Sequence, residues 1–162
     1  MNLKVVAIAA LFSSIVSTTA QAAGYDATVE LRDGTSRIAR HTTATTAPSA
    51  MPRRVTLESS AENPFTVVWK VVRRDPTAAV DGLVHFYVVK MDRQGQAPPP
   101  LEPSRVVLES AVTMDFPPGE TSGGTQQFRV DGPGIYLVRV EIGADPDKPG
   151  SEDFAELELV AK

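Results

Sequence analysis

The chain has 162 residues, a net charge of −4 and no cysteine, which excludes several classes of protein at once. Without cysteine it can form neither a disulfide nor a lipid-anchored N-terminus of the bacterial lipoprotein type. An acidic chain is also a poor partner for nucleic acid or for an anionic membrane, because both attract a basic surface.

Residues 1–22 are predicted to be a signal peptide. Met1–Lys4 is short and weakly basic, and Val5–Val16 is an apolar run of signal-peptide length. Ala20 and Ala22 supply the small residues that precede a cleavage site. The apolar run is too short to cross ~30 Å of hydrocarbon, so we expect cleavage after Ala22 rather than a membrane anchor. The mature chain is expected in the periplasm or outside the cell, without a membrane segment.

Residues 23–53 are predicted to form a flexible N-terminal segment that precedes the main domain. Alternation over Tyr25–Leu31 and the turn signal at Asp33 allow a short hairpin with Thr35–Ile38. His41–Ala50 contains no core-forming side chain and is typical of a flexible spacer, with a glycosylated stalk as the alternative.

Residues 54–162 alternate between apolar runs and clusters of turn residues, which predicts a single all-β domain built as an antiparallel sandwich. No segment of this sequence shows a convincing helical period of ~3.6 residues. Seven strands are predicted, at Arg54–Ser59, Phe65–Arg73, Leu83–Met91, Arg105–Phe116, Thr125–Val130, Gly134–Ile142 and Phe154–Ala161.

The connections between these strands carry three finer predictions. Gly123 and Gly124 are interpreted as a break before the fifth strand. The fourth strand is either continuous or divided into two at Ser110. Pro98–Pro100 favours an extended loop that stiffens a long connection, with recruitment of a partner as the alternative.

Side-chain alternation predicts which face of each strand is buried. On Gly134–Ile142, Tyr136 and the alternate residues after it would face the core, whereas Leu137 and the charged residues that follow it would face water. On the last strand, Glu156 and Glu158 would form a solvated polar face. The pattern therefore predicts that Tyr136→Ala destabilises the fold clearly more than Leu137→Ala.

The segment Asp131…Gly134-Ile-Tyr136-Leu-Val138 resembles the start of strand F in immunoglobulin-like and fibronectin III-like domains. The resemblance implies a seven-stranded Ig-like Greek-key sandwich, in which Tyr136 is the tyrosine corner and bonds back to the backbone of the preceding turn. Val138 stands where an antibody domain has a cysteine, and Trp69 falls on the second strand rather than the third, so an antibody domain is excluded. Because such sandwiches serve unrelated functions, the resemblance implies no functional residues.

A Greek-key order would gather three loops at one end of the sandwich, where rigid sheets can position them for binding. These loops follow the second, fourth and sixth predicted strands. The candidate contact residues on them are Arg73, Arg74, Asp75, Glu120, Asp145, Asp147 and Lys148.

Neither a metal site nor a catalytic site is predicted. The weak candidates for calcium lack the ordered spacing of a dedicated loop, so a solvated acidic loop is favoured. His85 lies within a strand and is interpreted as a packed or cross-strand-paired side chain. The sequence contains no hydrolase motif, which argues against an enzyme. The weak calcium candidates are Asp145, Asp147, Glu152 and Asp153.

The sequence therefore predicts an exported, non-catalytic protein without a cofactor that binds or scaffolds a partner. The expected partner is an envelope or extracellular protein, or a glycan, engaged through the end loops or by strand addition at a sheet edge. Two alternatives remain: a periplasmic metal-handling protein that uses the acidic loop and His85, and a small hydrolase with an unrecognised site.

Overall fold

The computed structural model describes residues 24–34, 38–43, 55–78, 80–143 and 153–162. The predicted signal peptide and most of the predicted spacer lie outside these residues. Within them no helix is long and apolar enough to cross a membrane. The described residues form nine strands: β1 (Tyr25–Asp33), β2 (Ile38–Thr43), β3 (Val55–Ser59), β4 (Phe65–Arg73), β5 (Asp81–Met91), β6 (Val106–Asp115), β7 (Thr121–Phe128), β8 (Gly134–Ile142) and β9 (Asp153–Ala161).

The nine strands form two sheets in a sandwich-like arrangement, which confirms the all-β prediction. The first sheet has the order β2-β1-β4-β7, and the second has the order β3-β9-β8-β5-β6. Neighbouring strands are antiparallel, except that β3 runs parallel to β9.

The main core lies between the two sheets and is built by alternate residues of each strand. On β8 the four residues predicted to face the core, from Tyr136 to Ile142, are all fully buried. Each large apolar side chain buried in this way stabilises the fold by roughly 1.5–3 kcal/mol. The Tyr136 hydroxyl also donates a hydrogen bond of 2.8 Å to the Gly132 carbonyl, in the turn before β8.

The N-terminal segment contributes two strands to the first sheet, so the predicted count of seven strands is too low for the described residues. β1 pairs with β4 along its whole length and buries Val29 and Leu31 completely. Its partner in the hairpin is β2, which begins where Thr35–Ile38 was predicted to end. His41, predicted to lie in a spacer, is a buried residue of β2 whose Nδ1 accepts a hydrogen bond of 3.1 Å from the Glu156 amide.

The strands after residue 54 follow the predicted ones closely, with one correction. β4 and β8 have the predicted bounds, and β6 continues through Ser110 without a break. The predicted break at Gly123 and Gly124 is wrong, because both glycines lie inside β7. They do not mark a turn but allow the backbone to pass close to Trp69.

The outer face of the second sheet is not solvated as predicted. Leu137 is 0% exposed, and Glu156 and Glu158 are 5% and 3% exposed. The loop between β5 and β6 lies across this face, where its Leu101 packs on a small hydrophobic cluster. The amide of Gly95 in the same loop donates a hydrogen bond of 2.6 Å to Glu158 Oε1. The cluster consists of Tyr87, Val89, Met91 and Leu137, with Leu101 and Ile135 at its margin.

Candidate functional site

The charged side chains of the loop after β4, which is one of the predicted end loops, form contacts within the protein. Arg74 Nε donates a hydrogen bond of 2.6 Å to Asp26 Oδ2 on β1. Asp75 accepts hydrogen bonds of 2.8 Å and 2.6 Å from the amide and hydroxyl of Thr77. These two bonds lower the pKa of Asp75 below its usual range. Among the residues that the structure describes, Arg73 donates a hydrogen bond of 3.5 Å to the Ala78 carbonyl.

Of the remaining candidates, Asp153 and Glu120 lie at the same end of the sheets as Arg73, because Asp153 bonds to Tyr25, the register partner of Arg73, and Glu120 directly precedes Thr121, the partner of Val72. Glu120 is exposed in the tight turn before β7, where its amide donates to the Pro117 carbonyl at 3.2 Å. Asp153 is buried, and its Oδ2 accepts a hydrogen bond of 2.6 Å from the Tyr25 amide. The described residues contain no group of three or more histidines or carboxylates placed to hold a metal ion. Asp145, Asp147, Lys148 and Glu152 lie outside the described residues.

A network of charged side chains occupies the outer face of β5, β6 and β8, which we call the outer-face network. His85 Nε2 lies 2.9 Å from Glu109 Oε1, and its Nδ1 lies 3.7 Å from Glu141 Oε2. Glu141 Oε1 accepts hydrogen bonds from the Tyr87 hydroxyl at 2.9 Å and from Arg139 Nε at 2.6 Å. His85 is therefore paired across the sheet, which is one of the two interpretations that its strand position favours.

The network shifts the pKa of several of its members. The nearby Glu141 carboxylate raises the pKa of His85, and Glu109 adds to this effect against the opposing effect of burial. Glu141 is farther from the ring than Glu109, but its side chain is only 15% exposed, so water screens its charge less. Burial would raise the pKa of Glu141, but the nearby His85 ring and the Arg139 charge lower it overall. Burial raises the pKa of the Tyr87 hydroxyl.

Because the folded protein holds a proton on His85 more tightly than the unfolded chain does, this group favours folding in acid. Its contribution is complete below the unfolded pKa of about 6.5 and is lost as the pH rises through the higher folded pKa. We therefore expect His85→Gln to lower the free energy of unfolding more at about pH 5.5 than at about pH 8.5.

Urea unfolding of both proteins at the two pH values measures this difference, and the subtraction removes the opposite contribution of His41, whose pKa is lowered by burial. Glu102→Gln, a change of an exposed carboxylate on the β5–β6 loop, is the matched control. If His85→Gln lowered the free energy of unfolding equally at both pH values, that result would contradict a raised pKa of His85 in the folded protein.

The two long sides of the sandwich differ in how the edge strands of the two sheets meet. On one side β2 lies against β9, where His41 bonds to the Glu156 amide. On the other side β6 and β7 are the edge strands of different sheets, and no backbone pairing joins them in the described region. Val112 of β6 is paired with the core residue Val84 and shares its face, yet it is 43% exposed. We call the gap between β6 and β7 the open side.

The glycines of β7 bring its backbone directly against Trp69 at the open side. A Cβ atom on Gly124 would lie 2.8 Å from the indole ring, and one on Gly123 would lie 2.4 Å from the Trp69 carbonyl oxygen. Both distances are too short for any larger residue without a shift of the strand. The sequence signal for this contact is the glycine pair itself, since glycine inside a strand marks close approach of another group.

Two buried polar atoms beside the open side have no hydrogen-bond partner within the described residues. These atoms are Trp69 Nε1 and Gln126 Oε1. Their residues are diagonal neighbours on the inner face of β4 and β7, because Trp69 pairs with Gly124 and Val67 pairs with Gln126. A buried donor or acceptor without a partner typically costs about 1–3 kcal/mol, so a ligand that satisfied them would gain that energy.

Unlike the three other sheet edges, the β7 edge lacks features that prevent pairing with another chain. Its eight residues, Thr121–Phe128, include no charge and no proline, and alternate backbone groups point away from β4. β6 carries a register shift beside Val88 as well as charged side chains. β2 is covered by β9, and β3 is only five residues long. Natural edge strands rely on such charges, bulges, covers and short lengths to avoid pairing with other chains.

The sequence predicts strand addition as one mode of binding but does not locate the edge. The predicted break at Gly123 and Gly124 made the predicted strand, Thr125–Val130, shorter than β7. The comparison with protein-family models gave no match for this chain, and neither did the comparison with curated proteins.

Proposed function

We propose that the chain is a non-catalytic binding module that accepts an extended segment of a partner protein as an additional strand along the β7 edge. The observation that carries the proposal is an eight-residue edge without charge or proline, next to two buried polar atoms that lack partners in the described region. An added strand gains affinity from main-chain hydrogen bonds and specificity from alternate side chains.

The open side defines the chemistry of the segment that would bind there. Its backbone supplies donors and acceptors to the free groups of β7. Alternate side chains then turn toward the gap, where Val112 offers apolar contact and Trp69 Nε1 and Gln126 Oε1 offer a donor and an acceptor. The best partner is an uncharged segment that alternates apolar side chains with small polar ones such as serine, threonine or asparagine.

We further propose that the fold is a variant of the Ig-like or fibronectin III-like sandwich. The pairing of β4 with β7 and the order β9-β8-β5 agree with the strand neighbours of such domains, as does the bond from Tyr136 to Gly132. β6 lies beside β5 in the second sheet, and β4 is the only strand that pairs with β7 in the described residues, although the Ser122 hydroxyl donates a hydrogen bond of 3.1 Å to the Asp115 carbonyl at the end of β6. An Ig-like domain that has no strand paired with β7 on the side away from β4 has an exposed sheet edge at β7.

The proposed site of action is the periplasm or the outside of the cell, as the leader-like residues 1–22 indicate. The proposed partner is an envelope or extracellular protein. Nucleic acid is not proposed, since the chain carries a net charge of −4.

The test uses an array of peptides eight residues long, the length of β7, with alternating apolar and small polar side chains. We expect a subset to bind and to slow hydrogen exchange at alternate amides of Thr121–Phe128. Thr125→Lys should weaken binding, because a lysine on an edge strand opposes pairing. Thr56→Lys, the same change at an exposed position of the β3 edge, is the control and should leave binding intact.

Binding that survives Thr125→Lys unchanged, or exchange protection confined to other strands, would refute the β7 edge as the site. If no peptide in the array binds to the folded protein, strand addition is refuted as its function.

A further inference from the structure

The outer face of the first sheet contains a cleft that is independent of the β7 edge. Three adjacent strands line it, β2, β1 and β4, and its volume is about 240 Å³. Apart from one valine, its lining is polar or charged. The lining residues are Thr28, Glu30, Arg32, Arg40, Thr42, Val68 and Lys70.

Glu30 holds the two arginines of the cleft in place. Its side chain is only 6% exposed, and Arg32 Nε donates a hydrogen bond of 2.6 Å to its Oε1. Arg40, its direct cross-strand neighbour, donates to Oε2 through Nε at 2.7 Å and through a second nitrogen. Each guanidinium carries five N–H donors, so both retain donors that can bind a ligand. Their side chains are 52% and 64% exposed, which leaves these donors accessible.

The cleft is positive although the chain as a whole is negative. Lys70 lies on β4 opposite Thr28 and forms no ion pair with any residue that the structure describes. With Arg32 and Arg40 it places three cations around the single carboxylate of Glu30. The net charge of the chain is −4, so this excess of two positive charges is a local feature rather than a consequence of composition.

We propose that this cleft binds an acidic glycan, by a carboxylate or sulfate group of the sugar held between Lys70 and the two arginines. Charge complementarity supports the anionic group, because guanidinium donors pair with oxyanions in a fixed planar geometry. The hydroxyls of Thr28 and Thr42, 3.0 Å apart across β1 and β2, offer hydrogen bonds to neighbouring sugar hydroxyls. Val68 is the one apolar lining residue, which disfavours a largely apolar ligand.

Calorimetric titration with oligosaccharides of polygalacturonate, which carry carboxylates, and of dextran sulfate tests this assignment. We expect at least one of the two to bind, with an affinity that falls as salt is added, while neutral dextran does not bind. Lys70→Gln and Arg40→Gln should each weaken binding by about tenfold, because each removes a charge-assisted hydrogen bond.

Arg93→Gln is the matched control, since it removes one positive charge from an exposed loop far from the cleft in the fold. The melting temperatures of Lys70→Gln and Arg93→Gln should stay close to that of the parent, because these side chains are exposed. Arg40→Gln should lower the melting temperature, because the buried Glu30 carboxylate then loses one of its two arginine partners. Binding of neutral dextran with equal affinity, or equal weakening by Arg93→Gln, would overturn the proposal. Inorganic sulfate that binds as tightly as the sulfated oligosaccharide would show a site for the free ion and overturn the glycan assignment.

Discussion

Leu137→Ala is expected to lower the free energy of unfolding by about 2–5 kcal/mol, the range for deletion of a buried leucine side chain. Leu137 lies on the outer face of β8, but it is fully buried against Tyr87, Val89 and Met91. The loop between β5 and β6 covers this cluster through Leu101. Alanine at position 137 would leave a cavity under the loop, which the surrounding strands can fill only in part.

Tyr136→Ala and Leu83→Ala are the comparison variants for Leu137→Ala, and all three are measured by urea or guanidinium unfolding. Tyr136 is buried in the main core and its removal should cost about 3–5 kcal/mol, as for other large aromatic side chains. Leu83 is 37% exposed, so its truncation should cost clearly less than either. If Leu137→Ala behaved like Leu83→Ala, the β5–β6 loop could not cover the outer face in solution.

Arg139→Met is expected to destabilise the fold by about 3–5 kcal/mol, the range for a buried ion pair that loses one partner. Arg139 Nη1 donates to Glu156 Oε2 at 2.7 Å, and both side chains are 7% exposed. The guanidinium also bonds to Glu141 and lies 3.7 Å from the centre of the Phe154 ring. Removal of the cation leaves buried carboxylates with less compensation for the water they have lost.

A double variant separates the loss of the pair from the loss of packing. Arg139→Met combined with Glu156→Leu should cost less than the sum of the two single changes, because neither charge then remains without the other. Arg105→Met is the control, since its bond of 2.9 Å to Asp92 lies at an exposed site. Equal losses from Arg139→Met and Arg105→Met in chemical unfolding would contradict the role of burial.

Local sequence patterns located most strands after residue 54. Phe65–Arg73 and Gly134–Ile142 have the predicted bounds because turn residues flank each run and alternation fills it. The same patterns missed the role of the N-terminal segment. β1 alternates only weakly, with Ala27 as one of its core residues, so its place between β2 and β4 depends on pairing with distant strands.

The open side could be predicted only in outline. The sequence suggested strand addition at an edge, but edges are defined by the order of strands in a sheet, and that order arises from long-range pairing. Gly123 and Gly124 have the same sequence signature in a turn and in a strand that contacts a tryptophan. The cleft around Glu30 likewise depends on the register that places Arg40 opposite this residue.

The sequence by itself determined the fold class, the position of most strands and the inner face of β8, because these depend on side chains a few residues apart along the chain. Only the tertiary structure decided that the outer face of β8 is buried rather than exposed to water. Leu137 and Arg139 alternate with core residues and would meet water in an isolated sheet. Leu137 is buried under the β5–β6 loop, and Arg139 is enclosed by contacts that include Glu156 and Phe154 of β9. No local sequence pattern records such contacts.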